Sequence, residues 1–235
     1  MEKFSTITGR ESEVKILNKY PIGGGMRGDV YEAEVMVGNR TKKFIIKDFV
    51  DFDLHLPHET QHITAKQSAE NALLNHGLAQ EAGLRTLATY RLEENGKSIL
   101  MSDARIEGKV LIDTNSRDRK GLESHGLEKL DKIEHFDELL EEIIEEAYKA
   151  SNHGLVLWGD ALFFLVDPDQ GVVDFVVGDY DSLSYQARSK LEVSISRSLK
   201  SLSTFITYNV KDPQLYLAKI QNRFNGLRPA ISTKG

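Results

Sequence analysis

The spacing of hydrophobic positions changes along this chain, and each change marks an element. Between residues 13 and 50 the apolar positions are dense and weakly alternating. "VKILNKY" leads into a glycine cluster, "DVYEAEVMV" follows it, "GNR" makes a turn, and "KKFIIKDFV" returns. Short β-branched and aromatic runs bounded by turn residues predict strands. Residues 57–82 predict a helix. Ala65, Ala69, Leu73 and Leu74 recur at helical spacing, Pro57 suits a first turn, and Gly83 stands where a helix would stop. "RTLATYRL" and "KSILMSD", joined by "EENG", predict a hairpin. Residues 104–136 are polar, with "DTNSRDRKG" as the linker candidate.

The strongest periodicity lies in "DELLEEIIEEAYKAS", residues 137–151. Leu139, Leu140, Ile143, Ile144, Ala147 and Tyr148 make an apolar face, and Glu138, Glu141, Glu142, Glu145 and Glu146 make the other. The acidic face is expected to be solvated and to bind nothing. "LFFLV" and "VVDFVVGD" flank "DPDQG" as a further hairpin, and residues 184–203 and 212–224 predict closing helices. The order is a small β-rich lobe with one embedded helix, then a compact, mainly helical lobe, which is an α+β architecture.

Composition narrows the function. The chain has 235 residues, enough for one large domain or two small lobes. Hydrophobic residues make up 40% and charged residues 28%, a balance that predicts a soluble folded protein. A net charge of -6 argues against nucleic acid or an anionic membrane as the main partner. Cysteine is absent, which excludes disulfides, thiol catalysis and cysteine-zinc sites and permits a cytoplasmic location. "MEKFSTITGRESEVK" lacks the apolar core of a signal peptide, and no apolar run approaches the roughly 20 residues of a membrane helix. The expectation is a cytoplasmic protein with neither nucleic acid nor membrane as partner.

Five features carry candidate chemistry. "IGGGMRGDVY" holds Gly23, Gly25 and Gly28 in G-x-G-x-x-G spacing, with Val30 two residues on. Its predicted place between two strands disfavours a dinucleotide fingerprint, which needs a helix after the glycines. "FIIKDF" puts Lys47 in an apolar strand, where an ammonium demands a partner. Glu70 in "QSAENALL" is the first choice for that partner, and Glu81 the second. "HGLVLWGDALFF" places Asp160 after the acidic helix, and "VVDFVVGDYDSL" places Asp179 and Asp181 after the hairpin. Each feature has an ordinary explanation: a flexible turn, a strand lysine, a surface glutamate, an aspartate capping a turn.

Taken in order, the five features resemble the protein-kinase-like phosphotransferases, which include protein kinases and small-molecule kinases such as aminoglycoside phosphotransferases. The resemblance spans about Ile16 to Asp181. It implies a two-lobed fold, with residues 1–103 as N-lobe and 104–235 as C-lobe, binding ATP and Mg²⁺ between the lobes. It also implies roles. Gly23, Gly25, Gly28, Val30, Lys47 and Met101 would hold the nucleotide, and Glu70 or Glu81 would pair with Lys47. Asp160 would orient the attacking hydroxyl or accept its proton, and Asp179 with Asp181 would hold magnesium.

The chain departs from the family pattern at several points. Trp158 fills the usual histidine position. Leu165 (or Phe163, in the shorter alignment) fills that of the metal-binding asparagine. No A-P-E motif appears, and 54 residues follow Asp181, so a small-molecule acceptor is expected rather than a peptide. The alternative is a pseudokinase, a nucleotide-binding scaffold without turnover that works through a protein partner.

"HETQH" raises a rival from another class. His58 and His62 match H-E-x-x-H, which on a helix would place two histidines on one face for zinc, with Glu59 as general base and Glu81 as third ligand. The polar flanks, including Thr60, Gln61 and Lys66, are unlike a zinc site cut into a core.

Overall fold

The computed structural model describes residues 2–6, 11–92, 96–102, 104–113, 135–157, 161–180, 183–185 and 191–232. The chain divides into two compact units. The first holds Met1–His76 and Leu87–Glu107, and the second holds Gly77–Thr86 and Gly108–Gly235.

The first unit is built on a closed antiparallel barrel. Its strands are β1 (Glu2–Thr6), β2 (Glu11–Gly25), β3 (Gly28–Val37), β4 (Arg40–Phe49), β7 (Ala88–Leu92) and β8 (Ser98–Ser102), in the order β1-β2-β3-β4-β8-β7. Strand β1 closes the ring by pairing with β2 on one side and β7 on the other. Inside lie Val14, Ala33, Val35, Phe44, Ile46 and Leu100, with Ile16, Tyr31, Val37 and Tyr90 packed against them. These residues alternate along β3 and β4, as a pleated strand with one face to a core requires.

Two elements stand between β4 and β7. The first is a separate hairpin of β5 (Phe52–Leu56) and β6 (Glu59–Ile63), closed by a two-residue turn at Pro57 and His58. The second is helix α1 (Ala65–Glu81). The helix expected from residue 57 thus begins eight residues later. Its start is fixed by a reciprocal capping box. The Gln67 backbone N–H donates to Thr64 Oγ1 at 3.2 Å, and the Thr64 N–H donates to Gln67 Oε1 at 2.9 Å.

The helix ends at Gly83, whose φ of +71° suits a left-handed C-terminal cap. The buried face of α1 is made of the small side chains Ala65, Ser68, Ala69, Ala72 and Ala79, together with His76. Leu74, expected on that face, is 64% exposed.

The second unit contains a three-stranded antiparallel sheet in the order β12 (Gly171–Val177), β11 (Leu162–Asp167), β9 (Val110–Asp113). A two-stranded sheet joins β10 (Leu155–Leu157) to β13 (Leu183–Tyr185). Its helices are α2 (Phe136–Asn152), α3 (Leu191–Asn209) and α4 (Gln214–Ser232). Helix α3 packs on α2, α4 and β10. Phe164 of β11 stacks on Phe205 of α3, ring centroids 4.1 Å apart. The apolar face of α2 is buried as its periodicity predicts, with Leu139, Leu140, Ile143, Ile144 and Ala147 all inside. No helix among the described residues is long and apolar enough to cross a membrane.

Glu146 corrects the reading of the acidic face of α2. It is 1% exposed, not solvated. Its carboxylate accepts the backbone N–H of Arg85 at 2.7 Å and the Lys149 ammonium at 2.9 Å. That hydrogen bond to Glu146 is the main cause of a Lys149 pKa above its usual value. The Arg85 guanidinium bridges Asp174 at 2.8 Å and Glu142 at 3.0 Å, and lies 5.1 Å from the Phe175 ring centroid. The 77–86 segment is thereby tied to α2 and to β12.

His76 yields a test. Its Nε2 lies 2.8 Å from the Leu87 carbonyl oxygen, and burial holds its pKa below the ordinary 6.5 despite that bond. The unfolded chain therefore takes up the proton first as pH falls. The stability that His76 contributes is complete above pH 6.5 and declines through the depressed folded-state value. Urea midpoints measured across this window should fall with acid in the wild type. In His76→Gln, which does not titrate, that part of the slope should vanish.

Candidate active site

The glycine stretch is the β2–β3 hairpin, as its strand-to-strand placement predicts. Gly23 pairs with Val30 and Gly25 with Gly28, and Met26 and Arg27 form the two-residue turn. The tip is held down where β4 ends, because the Val50 N–H donates to the Arg27 carbonyl at 3.2 Å. Gly28 has its own reason to be glycine. Its φ is +156°, and a Cβ there would meet the Asp48 carbonyl oxygen at 2.2 Å.

Register then assembles one face of the sheet. Val30, Lys47 and Ile99 are directly opposite one another across β3, β4 and β8. In the next row on that face Ile45 stands opposite Met101, and Met101 opposite Thr89. All six are buried, and Lys47 is only 5% exposed. Its ammonium lies 5.2 Å from the Phe49 ring centroid, within cation–π range. Four of the expected nucleotide residues, Gly28, Val30, Lys47 and Met101, thus sit on adjacent strands of the first unit. Glu70 and Glu81 are exposed positions of α1.

The neighbouring Asp48 points to the other face. It pairs with Lys19, accepts the Ser98 hydroxyl at 2.7 Å, and Lys19 sits 3.8 Å over the Tyr31 ring. This network ties β4 to β8 beside it and, across β3, to β2.

In the second unit the β11–β12 hairpin forms as expected, Leu162 opposite Val177. At its open end the Gly178 N–H donates to the Ala161 carbonyl at 3.0 Å, and half-buried Asp179 follows directly. Asp160, Asp181 and Trp158 lie outside the described residues. Leu165 is fully buried in β11, and Phe163 is 7% exposed. The Phe163 ring lies against Gly178, where an added Cβ would meet it at 2.9 Å. Both positions aligned with the family's asparagine are therefore built into the core.

"HETQH" is not a helix. Glu59–Ile63 is strand β6 and His58 sits in the turn before it, so the shared helical face that zinc hydrolysis would need does not exist. Among the described residues no three His, Asp or Glu side chains converge to hold a metal ion.

No protein-family model matches the chain, and no curated protein matches it. Among solved structures it is similar to the kinase domain of PknI from Mycobacterium tuberculosis. The identity is 13%, the TM-score is 0.40, and the match covers 86% of this chain and 76% of that one.

Gly28→Ala should destabilise the protein by about 1–3 kcal/mol, through backbone strain and the contact with Asp48. The measurement is a urea midpoint that falls while the slope m is unchanged. An unaltered midpoint would remove the steric explanation for this glycine.

Proposed function

We propose that the chain is a kinase-like nucleotide-binding protein that transfers the γ-phosphoryl group of ATP to a hydroxyl of a small molecule. The observation that carries this reading is the cross-strand row Val30–Lys47–Ile99 beneath a glycine hairpin. The apolar residues around Lys47 suit a base ring, and the buried ammonium suits phosphate. A point charge acts more strongly where water is excluded. The backbone N–H groups of Gly23 to Gly28 would approach the phosphates without side-chain obstruction.

The reacting groups belong to the second unit. Asp179 would hold Mg²⁺, which ordinarily takes only one or two carboxylates beside phosphate oxygens and water, so a short donor set fits it. When bound, the ion would neutralise charge on the transferred group. Asp160 would take the acceptor's hydroxyl proton as the oxygen attacks γ-phosphorus and the bond to ADP breaks. Asp181 is the second magnesium candidate.

A second reading has a specific observation in its favour. With buried Leu165 and Phe163 where the family carries asparagine, one metal ligand is lost to packing. A pseudokinase, binding nucleotide and acting through a protein partner, accommodates that loss.

Nucleotide binding is tested first. At 100 times Kd, ATP with Mg²⁺ should stabilise the protein by about 2.7 kcal/mol in a thermal-shift assay. Lys47→Ala should lose most of this shift. Wild type that binds no nucleotide at millimolar ATP, with or without Mg²⁺ or Mn²⁺, would exclude both readings.

Asp179→Asn should remove the magnesium-dependent part of binding. Asp160→Asn should retain binding and lose about 10²–10⁴-fold of turnover, read as slow ATP hydrolysis or transfer. Magnesium-dependent binding without turnover in the wild type, across a broad acceptor screen, would favour the pseudokinase.

A further inference from the structure

Strand β12 is an edge of its three-stranded sheet, paired with β11 on one side only. The end of such a strand frays unless something holds its outer edge. Arg85, in the 77–86 segment of the same unit, is that holder. Its carbonyl oxygen accepts the Val177 N–H at 2.9 Å, and Thr86 beside it bridges Val177 in parallel. Its Nη1 donates to Asp174 Oδ1, earlier in the same strand, at 2.8 Å.

Arg85 is itself anchored to α2 at two places one helical turn apart. Its N–H donates to the buried Glu146 carboxylate at 2.7 Å, and its Nη1 donates to Glu142 Oε2 at 3.0 Å. A single residue thus fastens a strand edge to a helix, through its backbone and through its guanidinium. Each half has a reason to persist. A buried carboxylate needs its donors, and two carboxylates that face one another need a cation between them.

The strand end held in this way leads directly to Asp179. Val177 closes β12, and Gly178 donates its N–H to the Ala161 carbonyl at 3.0 Å. The Phe163 ring occupies the space where a side chain at Gly178 would begin. No loose spacer therefore separates the grip of Arg85 from the Asp179 carboxylate.

We propose that Arg85 is a positioning residue for Asp179, holding the exit of β12 so that the carboxylate is fixed for magnesium. This role rests on the nucleotide reading given above. Arg85 itself would touch neither nucleotide nor metal. Glu142, Glu146 and Asp174 act through it, which gives the acidic face of α2 a part in the site.

The test compares Arg85→Ala, Arg85→Lys and Asp174→Asn with Phe205→Leu, a core change in the same unit that weakens the Phe164–Phe205 stack instead. Amide hydrogen exchange is read first, without nucleotide. Arg85→Ala should speed exchange at Val177, Gly178 and Asp179 by about tenfold or more relative to the middle of α2. ATP binding is then titrated with Mg²⁺. The magnesium concentration for half-maximal enhancement should rise about 10–100-fold in Arg85→Ala and less in Asp174→Asn. ATP affinity without magnesium should stay unchanged. Arg85→Lys keeps a cation between the two carboxylates and should recover part of the loss. Phe205→Leu should lower the urea midpoint and leave the magnesium midpoint alone. Asp174→Asn and Arg85→Lys, which nearly preserve side-chain size, carry the test should Arg85→Ala not fold. Unchanged exchange at residues 177–179, or a Phe205→Leu shift in the magnesium midpoint as large as that of Arg85→Ala, would overturn the proposal. Magnesium-dependent wild-type binding with an unaltered midpoint in Arg85→Ala overturns this role alone. Wild type that binds no nucleotide overturns the function and this role together.

Discussion

Strand β4 is buried on both of its faces, and the rest of the first unit depends on that. Phe44 and Ile46 fill the barrel, while Ile45, Lys47 and Phe49 are buried on the opposite side. A one-residue slip would exchange the two sets and drive Lys47 into the barrel interior, where an ammonium costs far more than an isoleucine gains. The register is therefore strongly specified. It fixes Gly28 against Asp48, Val30 against Lys47, and Met101 against Ile45. Candidate chemistry and barrel core are two faces of one strand, so neither can shift without the other.

A different constraint organises the second unit. Glu146 carries a charge in a dry setting, and such a group is tolerated only with partners of good geometry. It has two, a backbone N–H and an ammonium. Because the N–H belongs to Arg85, the same contact fixes the start of an extended segment whose Thr86 bridges Val177 of β12 in parallel. Arg85 then spans Glu142 and Asp174 with its side chain. Helix α2 and strand β12 are thus joined through a segment remote from both in sequence.

What the sequence disclosed follows the range of the forces involved. Helix α2 was legible because its period of 3.6 runs unbroken over four turns, and the hairpins at 88–102 and 162–177 because turn residues separate β-rich runs. The start of α1 was missed because Pro57 suits a helix and a hairpin turn equally. The decisive signal was the T-A-K-Q box at Thr64–Gln67, which satisfies helix N–H groups locally. Strands β9, β10 and β13 are short, and their partners lie far along the chain, so local pattern could not announce them; β1 is also short, and its closing partner β7 is likewise remote. The burial of Glu146 was equally hidden, since periodicity sees one helix and the Arg85 N–H comes from another segment. Lys47 was legible as a buried strand lysine from its apolar neighbours alone. The fate of Leu165 and Phe163 could be read only as the loss of an asparagine, not as its replacement by core.

The closure of the barrel by β1 also sets an order of events. Residues 2–6 are synthesised well before one of their two partners, residues 90–92 of β7. Until that strand has left the ribosome, β1 can pair only with β2, and the other edge of β1 stands open. Loop closure over this span delays the reward of non-local contacts, so sealing the ring falls late in folding. Over that interval the nascent chain carries exposed strand edges of the kind that recruit other chains, and the mature barrel carries none. One five-residue strand of the barrel thereby decides how long the protein remains open to mispairing.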